Sequence, residues 1–453
     1  MEKIYQDLKN GLKDIRDVDT RIEYLKKLRM SIVNNKDGIV KALHDDFNKP
    51  EFETLSTEIF GVIGEIDLFI KKLGKWSKPE SVRPSILNFP SSGYIYKEPM
   101  GVVYICSPWN YPFNLAMTPL VGAIGAGNTV LLRPSQSSLN SAHIIEKICK
   151  EVFPENIVHV FVGDHDLADK ILDMDLDMVF FTGSPRIGRE IYKRATNSFA
   201  RVVLELGGKS PVIVLNDADC QKTAKRLVWG KYLNGGQTCV APDYVIVQEK
   251  VKPALIEWLI KYIGEFYYTS EGLTDNFPHI INEKNYERLK QHLTGNILVG
   301  GKFDNEKRLI YPTIIDNITL DSPIMKEEIF GPIMPLITIK DVDEVYPIIE
   351  ANPNPLAAYI FTSNMKAAET LVDNIKCGDA CINDTVMHLT SDTLPFGGIK
   401  TSGLGSYHGY ESFKVFSHYK SVLNKSLKGE ISVKYPPYTK EKIKFLEEFG
   451  KIK

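Results

Sequence analysis

The sequence predicts an α/β protein built on a Rossmann-like, doubly wound parallel sheet. Between residues 101 and 206, short apolar runs rich in β-branched residues alternate with segments of helical periodicity. Strands separated by helices in this way are typical of a parallel sheet covered on both faces. The chain of 453 residues is long enough for further domains, and the alternation continues less regularly to about residue 419.

The segment before this alternation is predicted to be helical, with one interruption. Leu55, Ile59 and Ile63 recur at four-residue steps, so we expect one face of a helix to pack on a core. From Arg83 to Glu98 the pattern changes to two short apolar stretches around a Pro-Ser-Ser-Gly turn. That pattern predicts a β-hairpin, which we interpret as an arm.

Nine elements are predicted in order between residues 101 and 206. They are a strand at 101–106, a helix at 113–126, a strand at 129–133, a helix from Ser138, a strand at 157–162, a short helix, a strand at 178–183, a helix from Pro185 and a strand at 201–206. No Gly-x-Gly-x-x-Gly motif follows any of these strands, so the usual dinucleotide fingerprint is missing. In FTGSPRIG, Gly183 and Ser184 stand between a strand and a helix, where free backbone N–H groups can bind phosphate. A plain strand-to-helix turn is the alternative interpretation.

Composition excludes several classes of partner. The 55 basic and 57 acidic side chains leave a net charge of −2, so no broad positive field exists for nucleic acid or an anionic membrane. The polar N-terminus does not resemble a secretory signal, and the most apolar window, at 119–132, is too short to span a bilayer. The six cysteines show neither a disulfide framework nor metal-ligand spacing. We therefore expect a cytoplasmic protein with free thiols, no metal and a small-molecule partner.

Four short motifs, at strand ends or in loops, carry a family resemblance. They are CSPWNYP at 106–112, LELGGKSP at 204–211, GGQTC at 235–239 and EEIFGP at 327–332. Together they resemble the aldehyde dehydrogenase superfamily over nearly the whole chain, and the segment at 394–418 resembles the signature of its class 3 branch. The resemblance implies a homodimer and the aldehyde dehydrogenase fold. Its parts would be a cofactor-binding domain at 1–82 and 99–206, an α/β catalytic domain at 207–419, and a small β oligomerisation arm with a C-terminal segment at 83–98 and 420–453.

Aldehyde oxidation by hydride transfer needs a nucleophile, oxyanion donors and a base, and the motifs supply a candidate for each. A thiolate adds and leaves readily, and Cys239 stands in the polar, glycine-led stretch GGQTCVAP rather than among aliphatic residues. Asn110 is the candidate side-chain donor to the oxyanion, with the backbone N–H of Cys239 as the second donor. Glu205 ends an apolar strand, where burial would raise its pKa and suit it to activate water. The alternatives are an inert thiol, a turn asparagine and a surface glutamate.

The resemblance also assigns the cofactor contacts. It implies that Glu328 and Phe330 hold the nicotinamide ribose and ring, that Trp109 lines the pocket, and that Lys209 supports the site. Ser184 is expected to contact the pyrophosphate. Gly183 and Gly207 complete the expected set of cofactor contacts, because glycines let the backbone come close to a ligand.

The stretch RPSQ at 133–136 departs from the Lys-Pro-Ser-Glu that is usual in this branch near the adenosine ribose. Arg133 offers a planar fork of donors suited to phosphate, and Gln136 lacks the negative charge that would repel a 2′-phosphate. Arg133, Ser135 and Gln136 are therefore predicted cofactor contacts. Our hypothesis is that the cofactor is NAD or NADP, that NADP is accepted, and that a preference for NADP is open.

The leading prediction is NAD(P)-dependent oxidation of an aliphatic or aromatic aldehyde to the carboxylate. The reaction would pass through a cysteine thiohemiacetal and a thioester, which water activated by a glutamate hydrolyses. By resemblance, Tyr111 and Phe396 are expected along the substrate pocket, although aromatic residues there are more often core. One alternative is a CoA-acylating aldehyde dehydrogenase, although such members commonly lack the glutamate at Glu205. The other is a catalytically silent binding protein on the same fold.

Overall fold

The computed structural model describes residues 1–163 and 165–451, in two compact units. The larger unit comprises Met1–Trp76 and Pro99–Phe416. The smaller unit comprises Ser77–Glu98 and the chain from Ser417 onward. The predicted C-terminal segment at 420–453 ends with residues 452 and 453, which lie outside the described residues.

The larger unit opens with the predicted helical region. Its segments are Glu2–Gly11, Val18–Asn34, Lys36–Phe47, Glu51–Thr54, the π-helical turn Leu55–Ile59, and Phe60–Trp76. The apolar face is buried as the periodicity predicts, with Phe69 fully enclosed. This face packs so closely on a neighbouring helix that a Cβ at Gly125 would lie 2.3 Å from the ring of Phe69. Within the described ranges, no helix is both long enough and apolar enough to cross a membrane.

A six-stranded sheet follows and contains the predicted doubly wound region. In spatial order its strands are Gly403–Leu404, Arg201–Leu206, Met178–Gly183, Val102–Cys106, Thr129–Arg133 and Val158–Val160. Its helices are Asn114–Ala126, Leu139–Val152, His165–Leu172 and Pro185–Ala195. All nine predicted elements are present. The strand predicted at 157–162 is shorter than expected because only Val158–Val160 finds partners on the neighbouring strand.

The strand order creates a topological switch point between Val102–Cys106 and Met178–Gly183. From the first of these strands the chain builds two strands to one side, and it then returns to build the strands on the other side. At such a point the outgoing loops separate and open a crevice at the carboxyl ends of the strands. Trp109 and Asn110 follow the first strand and Ser184 follows the second, so the fold carries all three to this crevice.

A seven-stranded sheet forms the rest of the larger unit. Its order is Asn296–Val299, Thr313–Asp316, Ile333–Ile339, Tyr244–Gln248, Pro211–Val214, Ala357–Phe361 and Asp379–Ile382. All neighbours run parallel except the first pair. Its helices are Cys220–Tyr232, Lys252–Tyr267, Glu283–Lys290, Val345–Glu350 and Met365–Asn374. The helix Tyr410–Val415 packs instead on Asn114–Ala126 of the six-stranded sheet. Two short hairpins pair Tyr268–Thr269 with Gly272–Leu273 and Phe303–Asp304 with Leu309–Ile310.

The motifs occupy opposite ends of the two sheets. GGKSP, GGQTC and EEIFGP each precede a strand of the seven-stranded sheet, whereas PWNYP and FTGS follow strands of the six-stranded sheet. The site therefore forms where carboxyl ends of one sheet meet amino ends of the other.

The two predicted domains also interlock, because Gly403–Leu404, from the range 207–419, pairs antiparallel with Arg201–Leu206.

The smaller unit contains a three-stranded sheet in the order Glu80–Val82, Ser91–Pro99 and Ser417–Lys425, followed by the helix Lys440–Phe449. The predicted hairpin is present, since the first two strands pair antiparallel, but its predicted turn is wrong. Pro-Ser-Ser-Gly opens the second strand, and Gly93 pairs with Val82. The reversal lies earlier, at 83–90, because Ile86–Asn88 forms a 3₁₀ turn instead of a strand.

Candidate active site

A cavity of about 590 Å³ lies at the junction of the two sheets. The structure places most of the sequence-predicted site residues on its wall: Trp109, Asn110, Gly183, Ser184, Glu205, Gly207, Lys209, Cys239, Glu328 and Phe330. These residues come from five separate motifs, so their convergence is a product of the fold. The thiol, both carboxylates and the amide share one enclosed space.

The loop that presents Cys239 has an unusual backbone. Asn234, Gly235 and Gly236 have φ values of 56°, 62° and 74°, three left-handed residues in succession. At Gly236 a Cβ would also lie 2.3 Å from the carbonyl oxygen of Gly331, which belongs to the EEIFGP motif. A glycine is therefore required there for both conformation and space, and the close approach joins the cysteine loop to the loop of Glu328.

Burial dominates the electrostatics of the Cys239 thiol. Desolvation raises its pKa to about 12, and the carboxylates of Glu328 and then Glu205 add to the increase. Desolvation also raises the pKa of Glu328 to about 8, so this carboxyl is largely protonated at neutral pH. The reactivity of the thiol is therefore coupled to the protonation of its acidic neighbours.

Glu205 is the most enclosed acid of the site. Its side chain is 2% exposed, and neither carboxylate oxygen has a hydrogen-bond partner among the described residues. Desolvation raises its pKa well above the usual range, with a smaller contribution from Asp379. A carboxyl with these properties is suited to proton transfer rather than to a structural ion pair.

Asn110 is held in a fixed orientation. Its side-chain Nδ2 donates to the backbone carbonyl oxygen of Gln237 at 3.0 Å. The backbone carbonyl oxygen of Asn110 accepts from Asn234 Nδ2 at 2.9 Å. Because an amide nitrogen carries two N–H donors, one remains available after the bond to Gln237. The side chain is 3% exposed and lines the cavity beside Cys239, so this second donor can serve a bound oxyanion.

A buried ion pair holds the loop that carries Glu328. Lys209 Nζ lies 2.5 Å from Asp243 Oδ2 and donates to the carbonyl oxygens of Ile324 at 3.0 Å and Glu327 at 2.9 Å. The second oxygen of Asp243 accepts from the backbone N–H of Ile329 at 2.9 Å. The role expected for Lys209, as a support of the site, is consistent with these contacts.

Glu328 and Phe330 face the two glycine-rich turns. The backbone N–H of Gly208 donates to the Glu328 carboxylate, and a Cβ at Gly207 would lie 2.1 Å from Glu328 Oε2. Glu328 Oε1 has no hydrogen-bond partner within the described ranges. The ring of Phe330 meets that of Trp109 edge to face, with centroids 5.4 Å apart.

The three residues predicted from RPSQ lie outside the lining of this cavity. Arg133 is 6% exposed, and its guanidinium contacts Cys106 Sγ at 3.7 Å and the Gly163 carbonyl oxygen at 3.5 Å. The open fork of donors expected at Arg133 is thus buried. Ser135 caps a 3₁₀ turn through Ser137 N–H, and Gln136 is exposed.

The two residues predicted for the substrate pocket also lie outside the cavity lining. The Tyr111 hydroxyl is 2.7 Å from Thr238 Oγ1, directly beside Cys239 in sequence. Phe396 is 6% exposed and packs on Tyr407, with ring centroids 5.9 Å apart. Substrate contact by either residue stays a prediction.

The sequence analysis missed the polar side of the cavity, which Asn285, Arg288, Asn352 and Thr401 help to line. Arg288 donates to the carbonyl oxygens of Glu328 at 3.2 Å and Ile329 at 2.7 Å, so it holds the same loop as Lys209. It lies in a short charged helix, EKNYERLK, where nothing distinguishes it from a solvated arginine. Only tertiary structure identifies it.

Comparison with known proteins agrees with this geometry. A sequence model described as "Aldehyde dehydrogenase family" matches residues 4–422. The chain belongs to the aldehyde dehydrogenase family. It is an oxidoreductase that acts on aldehydes with NAD or NADP, as the resemblance predicted.

Similar relatives place the chain in the class 3 branch, because several are named as family 3 members. The 4,4'-diaponeurosporen-aldehyde dehydrogenase of Staphylococcus aureus is 41% identical over 96% of this chain and 95% of its own. The mouse protein named "Aldehyde dehydrogenase, dimeric NADP-preferring" is 37% identical over 93% of this chain and 94% of its own. A solved structure titled "Substrate bound state of Staphylococcus Aureus AldH" superposes with a TM-score of 0.96 at 40% identity, covering 99% of both chains. The predicted fold is confirmed.

Proposed function

We propose that Cys239, Asn110 and Glu205 carry out a hydrolytic oxidation of an aliphatic or aromatic aldehyde to its carboxylate. The observation that supports this assignment best is the enclosure of Cys239 and an unpartnered Glu205 in one cavity. A thioester formed on the cysteine would then lie near a carboxyl whose raised pKa suits it to activate water.

The first chemical step belongs to Cys239. Its thiol releases its proton to water in the cavity, and the thiolate adds to the aldehyde carbon and forms a thiohemiacetal whose oxygen takes up negative charge. The free N–H of the Asn110 amide and the backbone N–H of Cys239 donate to that oxygen. A fixed donor of this kind contributes on the order of 3 kcal/mol to the transition state.

Glu205 acts after the aldehyde hydrogen has left and a thioester remains on Cys239. The Glu205 carboxylate removes a proton from water, and the resulting hydroxide attacks the thioester carbonyl carbon. The carbon–sulfur bond breaks, the carboxylic acid leaves, and Cys239 regains its thiolate. The same pair of donors stabilises the second oxyanion.

The cavity wall fits a nicotinamide cofactor. Glu328 keeps one carboxylate oxygen without a hydrogen-bond partner among the described residues, and ribose hydroxyls are donors that such an acceptor binds. Phe330 and Trp109 supply flat apolar surface beside it, and Ser184 lies at the start of the helix Pro185–Ala195. Gly183 and Gly207 complete the predicted contacts. When bound, the cofactor supplies the acceptor for the hydride.

The hydrolytic assignment predicts distinct defects in two variants. With hexanal or benzaldehyde, Cys239→Ser should abolish production of reduced cofactor, measured by absorbance, because the alkoxide is not formed at neutral pH. Glu205→Gln should lower kcat by about 100-fold or more, and the acyl group should accumulate on Cys239, measured by mass spectrometry of the intact protein.

The same assay separates the alternatives. Turnover that requires CoA would contradict hydrolysis in favour of CoA acylation. No turnover by the wild-type chain across a panel of aldehydes would favour a catalytically silent protein. Wild-type rates in Glu205→Gln without added CoA would contradict the role of Glu205.

We further propose that NADP is accepted as well as NAD. Gln136 is exposed and uncharged, so nothing at that position repels a 2′-phosphate. Since the guanidinium of Arg133 is buried, this proposal rests on Gln136 more than on Arg133. One relative carries "NADP-preferring" in its name.

The cofactor proposal predicts an effect of charge at Gln136. Gln136→Glu should lower kcat/KM for NADP about tenfold or more and change kcat/KM for NAD less than about threefold, because a carboxylate repels only the phosphorylated ribose. Initial rates with each cofactor measure this, and NAD serves as the internal control. Wild-type turnover with NADP about a hundredfold slower than with NAD would contradict the proposal.

Three further properties are proposed with the function. The chain is a cytoplasmic homodimer, and the segments 83–98 and 420–453 serve as its oligomerisation arm. Support comes from the class 3 resemblance and from the word "dimeric" in the name of the mouse relative. Sedimentation should give a species of twice 51.1 kDa, whereas a monomer or a tetramer would contradict the dimer.

A further inference from the structure

A second cluster of buried charge lies outside the cavity lining. Lys49 and Glu58 are both fully buried, and Lys49 Nζ lies 2.6 Å from Glu58 Oε1. Lys49 follows the helix Lys36–Phe47, and Glu58 lies in the π-helical turn Leu55–Ile59. Such turns often occur at functional sites, yet the proposed reaction uses neither residue.

Both members of this ion pair also contact the segment that carries Asn110. Glu58 Oε2 accepts from the backbone N–H groups of Phe113 at 3.2 Å and Asn114 at 2.9 Å, at the start of the helix Asn114–Ala126. Lys49 Nζ lies 3.9 Å from the centroid of the Tyr111 ring, which is cation–π geometry. The pair therefore fixes the residues on the C-terminal side of Asn110.

The other side of this segment meets the cysteine loop. The Tyr111 hydroxyl lies 2.7 Å from Thr238 Oγ1, and Asn110 Nδ2 donates to the Gln237 carbonyl oxygen at 3.0 Å. Asn110 and Tyr111 are thus held between the ion pair and the two residues that precede Cys239. A shift of Tyr111 would move the oxyanion donor relative to the nucleophile.

Stability alone is a poor explanation for such a pair. A buried ion pair is often no more stabilising than apolar residues of similar volume, because desolvation offsets the attraction between the charges. Here Glu58 Oε2 and the Lys49 ammonium both make their shortest further contacts with the segment that follows Asn110. Positional control of that segment accounts for the arrangement.

We propose that Lys49 and Glu58 are positioning residues that keep Asn110 at a fixed place relative to Cys239. They act through the Tyr111 ring and through the N-terminus of the helix Asn114–Ala126. This inference rests on the proposed function, in which Asn110 donates to the oxyanion. The pair contacts no reacting atom in this account. Its removal should therefore affect kcat through Asn110 and leave the binding of aldehyde and cofactor nearly unchanged.

The test replaces both charges together, in Lys49→Met with Glu58→Gln, so that neither member of the pair stays buried without the other. Hexanal oxidation is measured in the full chain, with kcat expressed per Cys239 that iodoacetamide can alkylate. We expect kcat to fall about tenfold or more and KM for hexanal to change less than about threefold, because a misplaced donor loses part of its effect on the oxyanion. In an Asn110→Ala background the same pair of replacements should lower kcat less than about threefold further.

A third, partly buried ion pair provides the control. Lys252 Nζ lies 2.7 Å from Asp316 Oδ1, with side chains 15% and 10% exposed. Lys252 also contacts Thr338 Oγ1, at 2.8 Å, and the pair has no role in the proposed reaction. Lys252→Met with Asp316→Asn should leave kcat within about twofold of wild type, although it also removes both charges of an ion pair.

The possible outcomes separate the two proposals. A wild-type chain without hexanal turnover overturns the proposed function before any variant is made. If the wild type is active, kcat of the Lys49/Glu58 variant within about threefold of wild type overturns the positioning role. The positioning role is also overturned if the Lys49/Glu58 replacements lower kcat by the same factor in the Asn110→Ala background as in the wild type. Such a result would show that their effect does not depend on Asn110.

A third variant covers the case in which the double replacement does not fold. Tyr111→Phe keeps both buried charges and the ring beneath Lys49, and removes only the hydrogen bond to Thr238. We expect kcat to fall about three- to tenfold with KM unchanged, and no further loss in the Asn110→Ala background. Wild-type kcat in Tyr111→Phe would overturn the proposed link.

Discussion

The site depends on the partial desolvation of three ionisable groups that line one cavity. Glu205 is 2% exposed and has no hydrogen-bond partner among the described residues, and burial raises the pKa of Glu205, Glu328 and Cys239 alike. In water these groups would titrate independently, and neither carboxyl would hold a proton at neutral pH. In the cavity, ionisation of one acid opposes ionisation of the thiol. Burial therefore gives a carboxyl suited to proton transfer and makes thiolate formation dependent on its neighbours.

Such groups can be held in place only by a rigid frame, because isolated buried charge is unfavourable. The strand order supplies that frame, since the carboxyl ends of one sheet meet the amino ends of the other and the glycine-rich turns permit contact between loops. Two buried ion pairs then fix the loops. Lys209 with Asp243 holds the loop of Glu328, and we propose that Lys49 with Glu58 holds the segment of Asn110. Both ion pairs thus contact loops that line or adjoin the cavity.

The sequence was sufficient for most of the fold and for many of the residues that line the cavity, because these depend on local patterns. Alternating strands and helices identified five strands of the six-stranded sheet, and the motifs that carry the family resemblance indicated Cys239, Glu205 and Glu328. Tertiary contacts decided the rest. The sequence suggests an accessible arginine at Arg133, yet its guanidinium is buried against Gly163. The turn expected at Pro-Ser-Ser-Gly is instead part of a strand, because Gly93 pairs with Val82. The Lys49–Glu58 pair had no sequence signal, since a buried lysine and glutamate resemble a solvated pair in sequence.

Iodoacetamide alkylation of Cys239 measures the coupling between the Glu328 carboxyl and the thiol. The rate, followed on the Cys239 peptide by mass spectrometry, reports the thiolate fraction. At about pH 9.5 the Glu328 carboxyl, with a pKa of about 8, is ionised and opposes thiolate formation, so Glu328→Gln should be alkylated about threefold faster or more than wild type. At about pH 6.5 the wild-type carboxyl is protonated, and the two rates should converge. The same ratio at both pH values, or no difference at either, would contradict the coupling.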